Sequence, residues 1–358
     1  MTPSKIIHII DSLKKGGAEI LLKNTIDLLP EYDHLVIYFQ KDNDFHTQFN
    51  TSCRLKYLEH QGWGQIFRTI RALRRTIKNE KPFIVHSHLF LSSLLGRLAT
   101  PKNISLVNTL HSVYSVDAFK KNKKSLWAER RTLKRHHTLI AVSKFVLDDY
   151  LSFVPFKGKR FVLHNFLPDI FFECKNNRGV RNGNLKCIAI GNLKEAKNYN
   201  YLLKIFDLIK DMPISLDIYG DGNLKGELCK TIEDKKLNIR LRGIADNIKS
   251  TLGGYDLFIQ ASEHEGFGLS VIEAIASKLP VFISDIPVFR EITDSHAHFF
   301  PLNDARETAA ILENISLKES LLYKHIENSY EYSRKKFSQE TYKKKILDIY
   351  SNITLSQI

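Results

Sequence analysis

Short apolar runs recur along this 358-residue chain, and stretches with helical spacing separate them. The first run is KIIHII, Lys5–Ile10, followed by a polar loop and a helical pattern over Ile20–Leu29. Further runs fall at Leu35–Phe39, Arg54–Leu58, Phe83–Ser87, Ser105–Thr109, Thr138–Val142 and Phe161–Leu163. Helical spacing covers Gly64–Asn79, Leu91–Leu98, Leu126–Arg135 and a segment starting at Lys144. Runs this short, apolar throughout rather than alternating, are strands buried on both faces. Their alternation with helices predicts a parallel sheet covered by helices.

Residues 173–185, ECKNNRGVRNGNL, are polar, glycine-containing and without period, so they read as a linker. The alternation then restarts. Strands are expected at Lys186–Gly191, Ser215–Gly220, Ile239–Arg242, Leu257–Gln260 and Val281–Ser284. Helices are expected at Asn200–Lys210, Asn223–Lys235, Asp246–Thr251 and Ser270–Ser277. From Ser320 onward the pattern is helical, and Tyr342, Ile346, Ile349, Tyr350 and Ile353 share one stripe near the end. The chain is longer than one core usually supports. The reading is therefore α/β, with two doubly wound domains at 1–172 and 186–337. Ligands of such sheets bind beyond the carboxyl ends of the strands. That puts the GGAE loop with Gly16 and Gly17, His111, the GNLKEAK loop and the turn ASEHEGFG at comparable ends. A cleft between the domains is the economical place for them.

The turn, Ala261–Gly268, runs straight into an apolar helical pattern, LSVIEAIASKLPV. Gly266 and Gly268 let the backbone approach a ligand closely. A helix starting near Leu269 presents the N–H groups of Phe267, Gly268, Leu269 and Ser270 and a positive dipole end, a seat for an anion. Glu265 in the loop and Glu273 in the helix have seven residues between them. They are two separate acceptors rather than a close acid–base pair. An ionised carboxylate accepts two hydrogen bonds from a diol, which suits sugar or ribose hydroxyls. The plainer reading is that Glu273 complements the helix dipole and Glu265 is a surface charge. Lys197 alone is an ordinary loop lysine, and His111 alone a strand-end histidine bonded to main chain. His86 and His88 share one strand face with no third ligand in pattern, so they read as structural rather than metal-binding.

Charge changes the picture of the first half. Residues 1–165 hold 27 Lys and Arg against 13 Asp and Glu, whereas the rest of the chain holds 26 of each. The net charge of +14 therefore belongs to one half, which suggests an anionic surface facing that half rather than a nucleic-acid coat over both. Two stretches carry it. In GQIFRTIRALRRTIKNEK, Ile66, Ile70, Leu73 and Ile77 form one stripe and Arg71, Arg74, Arg75 and Lys78 another. In FKKNKKSLWAERRTLKRHH, Lys120, Lys121, Lys123, Lys124, Arg130, Arg131, Lys134 and Arg135 surround Trp127. Basic amphipathic helices with an aromatic suit anionic lipid; a solvated face over a packed stripe is the plainer alternative. No apolar run is long enough to span a bilayer. The run Ile6–Ile10 is broken by His8 and reads as a strand rather than a signal sequence. Cys53, Cys174, Cys187 and Cys229 are scattered without a CxxC, as expected of reduced thiols in a cytoplasmic protein.

Several of these segments, in this order, resemble those of the retaining GT-B glycosyltransferases of the family 4 type, also called glycosyl transferases group 1. ASEHEGFGLSVIEAIASKLPVFISD resembles the E-x7-E segment, GGAE the first glycine loop, GNLKEAKN the phosphate segment, and IYGDGNLKGEL the strand and loop beside the nucleotide. IVHSH, AVSKFV and HNFLP are further landmarks. The resemblance implies a GT-B fold, two Rossmann-like domains facing across a cleft, with a helix at about 338–358 packing back on the first domain. It implies transfer of a sugar from a UDP- or GDP-sugar, without cofactor or divalent metal, to a lipid-linked or membrane-exposed glycan in cell-surface polysaccharide synthesis. His111, Lys197 and Glu265 would be catalytic. His111 would reach the transferred sugar, Lys197 the diphosphate and Glu265 the sugar hydroxyls. Gly16, Gly17, Asn192, Gly220, Gly266, Phe267, Gly268, Leu269, Ser270 and Glu273 would bind substrate, Glu273 at the ribose. Asn192 stands where the family often has Arg, which removes one cation from the expected clamp. The basic first domain would face the inner surface of the cytoplasmic membrane. Two other classes fit the same residues: a sugar-nucleotide epimerase of this shape, and a non-catalytic, membrane-associated subunit that senses nucleotide sugar.

Overall fold

The computed structural model describes residues 4–354 apart from 15, 45–48, 50–52, 61, 121 and 174–182. Most of the expected 173–185 linker, with Cys174, lies outside the described residues, as do Lys121 and the last four residues. The chain forms two compact units, residues 1–166 with 339–358, and 167–338.

The first unit holds strands β1 (Lys5–Ile10), β2 (Asp33–Tyr38), β3 (Cys53–Tyr57), β4 (Ile84–His88), β5 (Ser105–Leu110), β6 (Thr138–Ala141) and β7 (Lys159–Val162). They form one parallel sheet in the order β3-β2-β1-β4-β5-β6-β7. Strand order reverses between β1 and β4, which makes that junction the switch point. Alternate residues of each strand face opposite layers. Ile6, Ile84, Val107 and Ile140 pack with Leu21 and with Tyr342, Ile346 and Tyr350 of the helix Gln339–Thr354. On the other face Ile7, Ile9, Leu35 and Val85 pack with Leu73 and Ile77 of the helix Ile66–Glu80 and Leu95 of the helix Phe90–Ala99. The terminal helix is tied further by Tyr342, whose hydroxyl lies 3.0 Å from Thr25 Oγ1 and whose ring meets Phe166.

The second unit holds β8 (Leu185–Ile190), β9 (Ile214–Tyr219), β10 (Ile239–Gly243), β11 (Leu257–Gln260), β12 (Val281–Ser284) and β13 (His298–Phe300). Its parallel sheet runs β10-β9-β8-β11-β12-β13, with the switch point between β8 and β11. Leu185, Cys187, Leu216, Ile218 and Ile259 build a core with the helices Tyr199–Leu208 and Ala305–Leu317.

The element boundaries depart from expectation where caps decide them. The first helix is Gly17–Leu28, three residues ahead of the apolar pattern, because Gly16 accepts the first turn's bond from Ile20 N–H at 3.0 Å. The helix expected at Leu126–Arg135 is Lys123–Thr132, since the Asn122 side chain caps it by accepting from Lys124 N–H. β13 and the helices Pro287–Thr293 and Ala305–Leu317 were not expected. A three-residue strand has no period to read, but Pro287 in the first turn and the Asp304 cap on Arg306 and Glu307 are start signals in plain sequence.

Candidate active site

β11 ends in a polar residue, Gln260, and the chain turns sharply after it. Three donors converge on one oxygen of Glu265. Lys197 Nζ reaches Oε1 at 2.6 Å, Gln260 Nε2 at 2.7 Å and Ser262 Oγ at 2.8 Å. Glu265 Oε2 takes none of these bonds. The knot is fixed from behind: Ser270 Oγ donates to Gln260 Oε1 at 2.9 Å, and Ser284 Oγ donates to the Ser262 carbonyl at 2.6 Å. Gln260 and Ser262 went unnoticed in the sequence. A glutamine closing an otherwise apolar strand, LFIQ, was the available signal.

The loop after β8 joins this turn. Glu263 N–H donates to the Ala196 carbonyl at 3.0 Å, so Lys197 is presented to Glu265 by a backbone bond as well as by charge. Tyr199 donates to the Gly191 carbonyl at 2.9 Å. The loop after β9 closes against the same segment. A Cβ on Gly220 would sit 2.0 Å from the Gly191 oxygen, so only glycine fits there. Gly268 caps the helix Leu269–Ala276 at φ +92°, and a Cβ there would meet Phe289 at 2.9 Å. The first N–H groups of that helix have no intrahelical acceptor.

The structure thus brings Lys197, Glu265, Gly266, Gly268, Leu269, Ser270 and Glu273 together, with Gly220 against the neighbouring loop. Asn192 is exposed on the same loop as Lys197. The Phe267 ring is buried and meets Phe337 edge-on, centroids 5.4 Å apart; the contact expected of this residue is through its N–H rather than its ring. The Ser270 hydroxyl is likewise spent on Gln260.

The two glutamates are electrostatically unlike. Burial pushes the Glu265 carboxyl up, but the charge and hydrogen bond of Lys197, with Ser262, hold it below the ordinary range. Glu265 is an anion with a 13% exposed side chain. Glu273 is pushed up to about 7 by burial, opposed only by the more distant charge of Lys197. It is a carboxyl whose charge waits for a partner.

In the first unit, Gly16 and Gly17 open the helix after β1, with buried Glu19 in its first turn. Burial raises Glu19 to about 7. Asp11 accepts from Ser92 N–H at 2.8 Å and from the Ser92 hydroxyl, anchoring the start of the helix Phe90–Ala99. His111 follows β5 and lies beside His88, ring nitrogens 3.2 Å apart. His8 of β1 joins His86 and His88 of β4, and one nitrogen from each lies within 4.8 Å of the others. This supplies the third imidazole that sequence spacing could not show, because it comes from a neighbouring strand. A metal would have to displace existing partners: His86 faces Tyr350 OH and Thr109 Oγ1, His88 faces His8 and His111, and His8 faces His34 and His88.

Two parallel-sheet Rossmann-like units in one chain are the architecture of the GT-B enzymes. The family profiles agree unit by unit: Glycosyltransferase Family 4 matches residues 15–168 and Glycosyl transferases group 1 matches residues 172–336. Among curated proteins, the chain is 37% identical over 101 residues to the poly(ribitol-phosphate) alpha-N-acetylglucosaminyltransferase of Staphylococcus aureus, a match covering 27% of this chain and 20% of that protein. It is 22% identical over 326 residues to the O-antigen biosynthesis glycosyltransferase WclY of Escherichia coli, covering 84% of this chain and 85% of that one. HepE of Anabaena, solved with UDP and glucose, superposes with a TM-score of 0.83 at 18% identity, over 97% of this chain and 99% of that one. The chain belongs to the group 1 GT-B glycosyltransferases, and it is an enzyme of that transferase class. Its relatives work in cell-surface polysaccharide biosynthesis.

Proposed function

We propose that this enzyme moves a sugar, with retention at the anomeric carbon, from a UDP- or GDP-sugar to a lipid-linked or membrane-exposed glycan. The observation that carries the reading is the Lys197–Glu265 pair at the switch point of the second sheet. Three donors hold Glu265 Oε1 and leave Oε2 for a sugar hydroxyl. Lys197 and the N–H groups that open the helix Leu269–Ala276 meet the diphosphate. Glu273 takes the ribose diol, and His111 meets the transferred sugar from the first unit.

In this reaction the bond from the anomeric carbon to the diphosphate breaks, and the acceptor oxygen attaches on the same face. The acceptor's proton passes to the departing phosphate. The protein then acts by orientation and by stabilising the leaving charge. Lys197 and the backbone donors supply the counter-charge, so the proposal includes no divalent cation or other cofactor. The donor assignment draws on HepE, solved with UDP and glucose. The acceptor class draws on the relatives named for O-antigen and poly(ribitol-phosphate).

The acceptor side is proposed to lie on the inner face of the cytoplasmic membrane. Among the described residues no helix is long and apolar enough to cross a membrane. Two exposed aromatics sit on basic helices instead: Phe67 is 83% exposed beside Arg68, Arg71 and Arg75, and Trp127 is 66% exposed beside Lys123, Lys124 and Arg131. Aromatics amid cations are what anionic lipid recruits. Arg74 does not fit this role, because it donates to the Leu98 and Ala99 carbonyls and so caps a neighbouring helix.

A panel of nucleotide sugars, read by thermal shift and then by mass spectrometry with membrane extract as acceptor, tests the proposal. One nucleotide sugar should raise the melting temperature by mass action and yield a product one sugar heavier, with its anomeric configuration retained. Inversion, or release of free sugar with no acceptor product, would overturn it.

A further inference from the structure

Four histidines cross the first sheet in one row. His34 stands on β2, His8 on β1, His88 on β4, and His111 just beyond β5. They share the face that the terminal helix covers, because His8 pairs with His86 in register and His34 pairs with Ile6. His34 Nε2 faces the Leu29 carbonyl at 2.8 Å. His34 Nδ1 faces His8 Nε2 at 3.2 Å, His8 Nδ1 faces His88 Nε2 at 3.5 Å, and His88 Nδ1 faces His111 Nε2 at 3.2 Å. Among the described residues His111 Nδ1 has no hydrogen-bond partner.

The polarity of this row is set at one end. A carbonyl only accepts, so His34 carries its proton on Nε2. A neutral ring with that proton has a lone pair on Nδ1, and His8 must donate to it from Nε2. The same step repeats at His88 and again at His111. The condition is that every ring be neutral. Burial lowers all four, His8 and His88 far below the ordinary value and His111 to about 4. His86 stands outside the row, held by Tyr350 and Thr109, and stacks on His88 with centroids 4.3 Å apart. That stacking restrains the His88 ring plane.

The geometry points to a positioning role for His34, His8 and His88: they fix His111 as the tautomer with its proton on Nε2 and a lone pair on Nδ1. His111 then meets the sugar as a hydrogen-bond acceptor toward a hydroxyl, not as a donor. The row is a polarity setter rather than a proton wire, because its far end is a carbonyl that passes no proton onward. This rests on the proposed contact of His111 with the transferred sugar. The tautomer itself is readable without any transfer.

The test uses the full chain labelled with 15N-histidine, read by two-bond proton–nitrogen correlation at neutral pH. The wild type should show His111 protonated on Nε2 with a bare Nδ1. In His34→Leu the row loses its anchored end. His111 should then populate both tautomers, and kcat should fall about tenfold with the donor KM unchanged, the scale of one hydrogen bond. In His34→Gln an amide N–H reaches the Leu29 carbonyl and the amide oxygen accepts from His8, so both the tautomer and kcat should recover. Protonation of wild-type His111 on Nδ1 overturns the inference, and so does an unchanged tautomer in His34→Leu. If His34→Leu does not fold, the wild-type spectrum alone decides the polarity. If no donor supports transfer in the wild type, the functional proposal fails while the tautomer result still stands.

Discussion

The two units share a topology and differ in what they hold at their switch points. At the end of β11 in the second unit the site is ionic, with an ammonium and a carboxylate in contact and a second carboxyl nearby. At the ends of β4 and β5 in the first unit it is a row of imidazoles, all held neutral by burial. Parallel sheets of the same build therefore position groups without choosing their charge. An ionic site suits a ligand that brings its own charge. A neutral row whose last nitrogen, His111 Nδ1, is left to accept suits a ligand that brings hydroxyls.

The contrast breaks most directly at Lys197. Lys197→Ala should lower turnover by roughly a hundred- to a thousandfold, the scale of removing one donor at a developing anion, while circular dichroism shows a folded chain. Near-normal turnover would mean that the second unit does not work through its cation. Glu265→Ala separates binding from chemistry within that unit. Transfer should drop about a hundredfold while nucleoside diphosphate affinity, measured by calorimetry, changes by only a few fold. The reverse outcome would exchange the roles of the two glutamates.

A pH series sharpens the comparison further. Glu273 in the free protein ionises at about 7, and a ribose diol favours its charged form. Donor affinity should be full above pH 7 and fall by up to about tenfold per unit below it. The same raised pKa means that the folded chain binds a proton at Glu273 that the unfolded chain releases. This group should therefore make the ligand-free protein more stable as pH falls from 7 toward 4.5. Donor affinity that is flat with pH would mean that Glu273 does not take the ribose diol. The smallest effect belongs to the surface. Arg71→Glu should weaken sedimentation with anionic vesicles by about 1 kcal/mol per unit of charge without altering donor affinity. Unchanged sedimentation would remove that helix from the membrane face.

Much of this was legible from local pattern. All seven strands of the first sheet were marked by short apolar runs, as were five of the six in the second. Glu265, Glu273 and Gly268 were visible because a turn and the helix after it are contiguous in sequence. Lys197 was visible only by resemblance, as a loop lysine carries no local signal. Gln260 and Ser262 were missed because their role lies in holding Glu265, not in their own spacing. The packing of the Phe267 ring on Phe337 was not legible, because the two residues lie far apart in the chain. Arg74 showed as one cation of a stripe until its bonds to Leu98 and Ala99 set it apart.

The sequence by itself determined the two α/β units, the glycine turn that opens the helix Leu269–Ala276 and the stripe of Tyr342, Ile346 and Tyr350. Periodicity and capping act over a few residues and are written in neighbouring letters. Tertiary structure alone decided the pairing of Lys197 with Glu265 and the row from His34 to His111, and it supplied the contacts by which Gln339–Thr354, expected from the resemblance to pack back, covers the first sheet. Each of these depends on strand order and register across parallel sheets, where residues far apart in the chain become neighbours at hydrogen-bond distance. No local pattern records which strand will lie beside which. The partners that give His111 its polarity therefore become visible only once β2, β1, β4 and β5 are laid side by side.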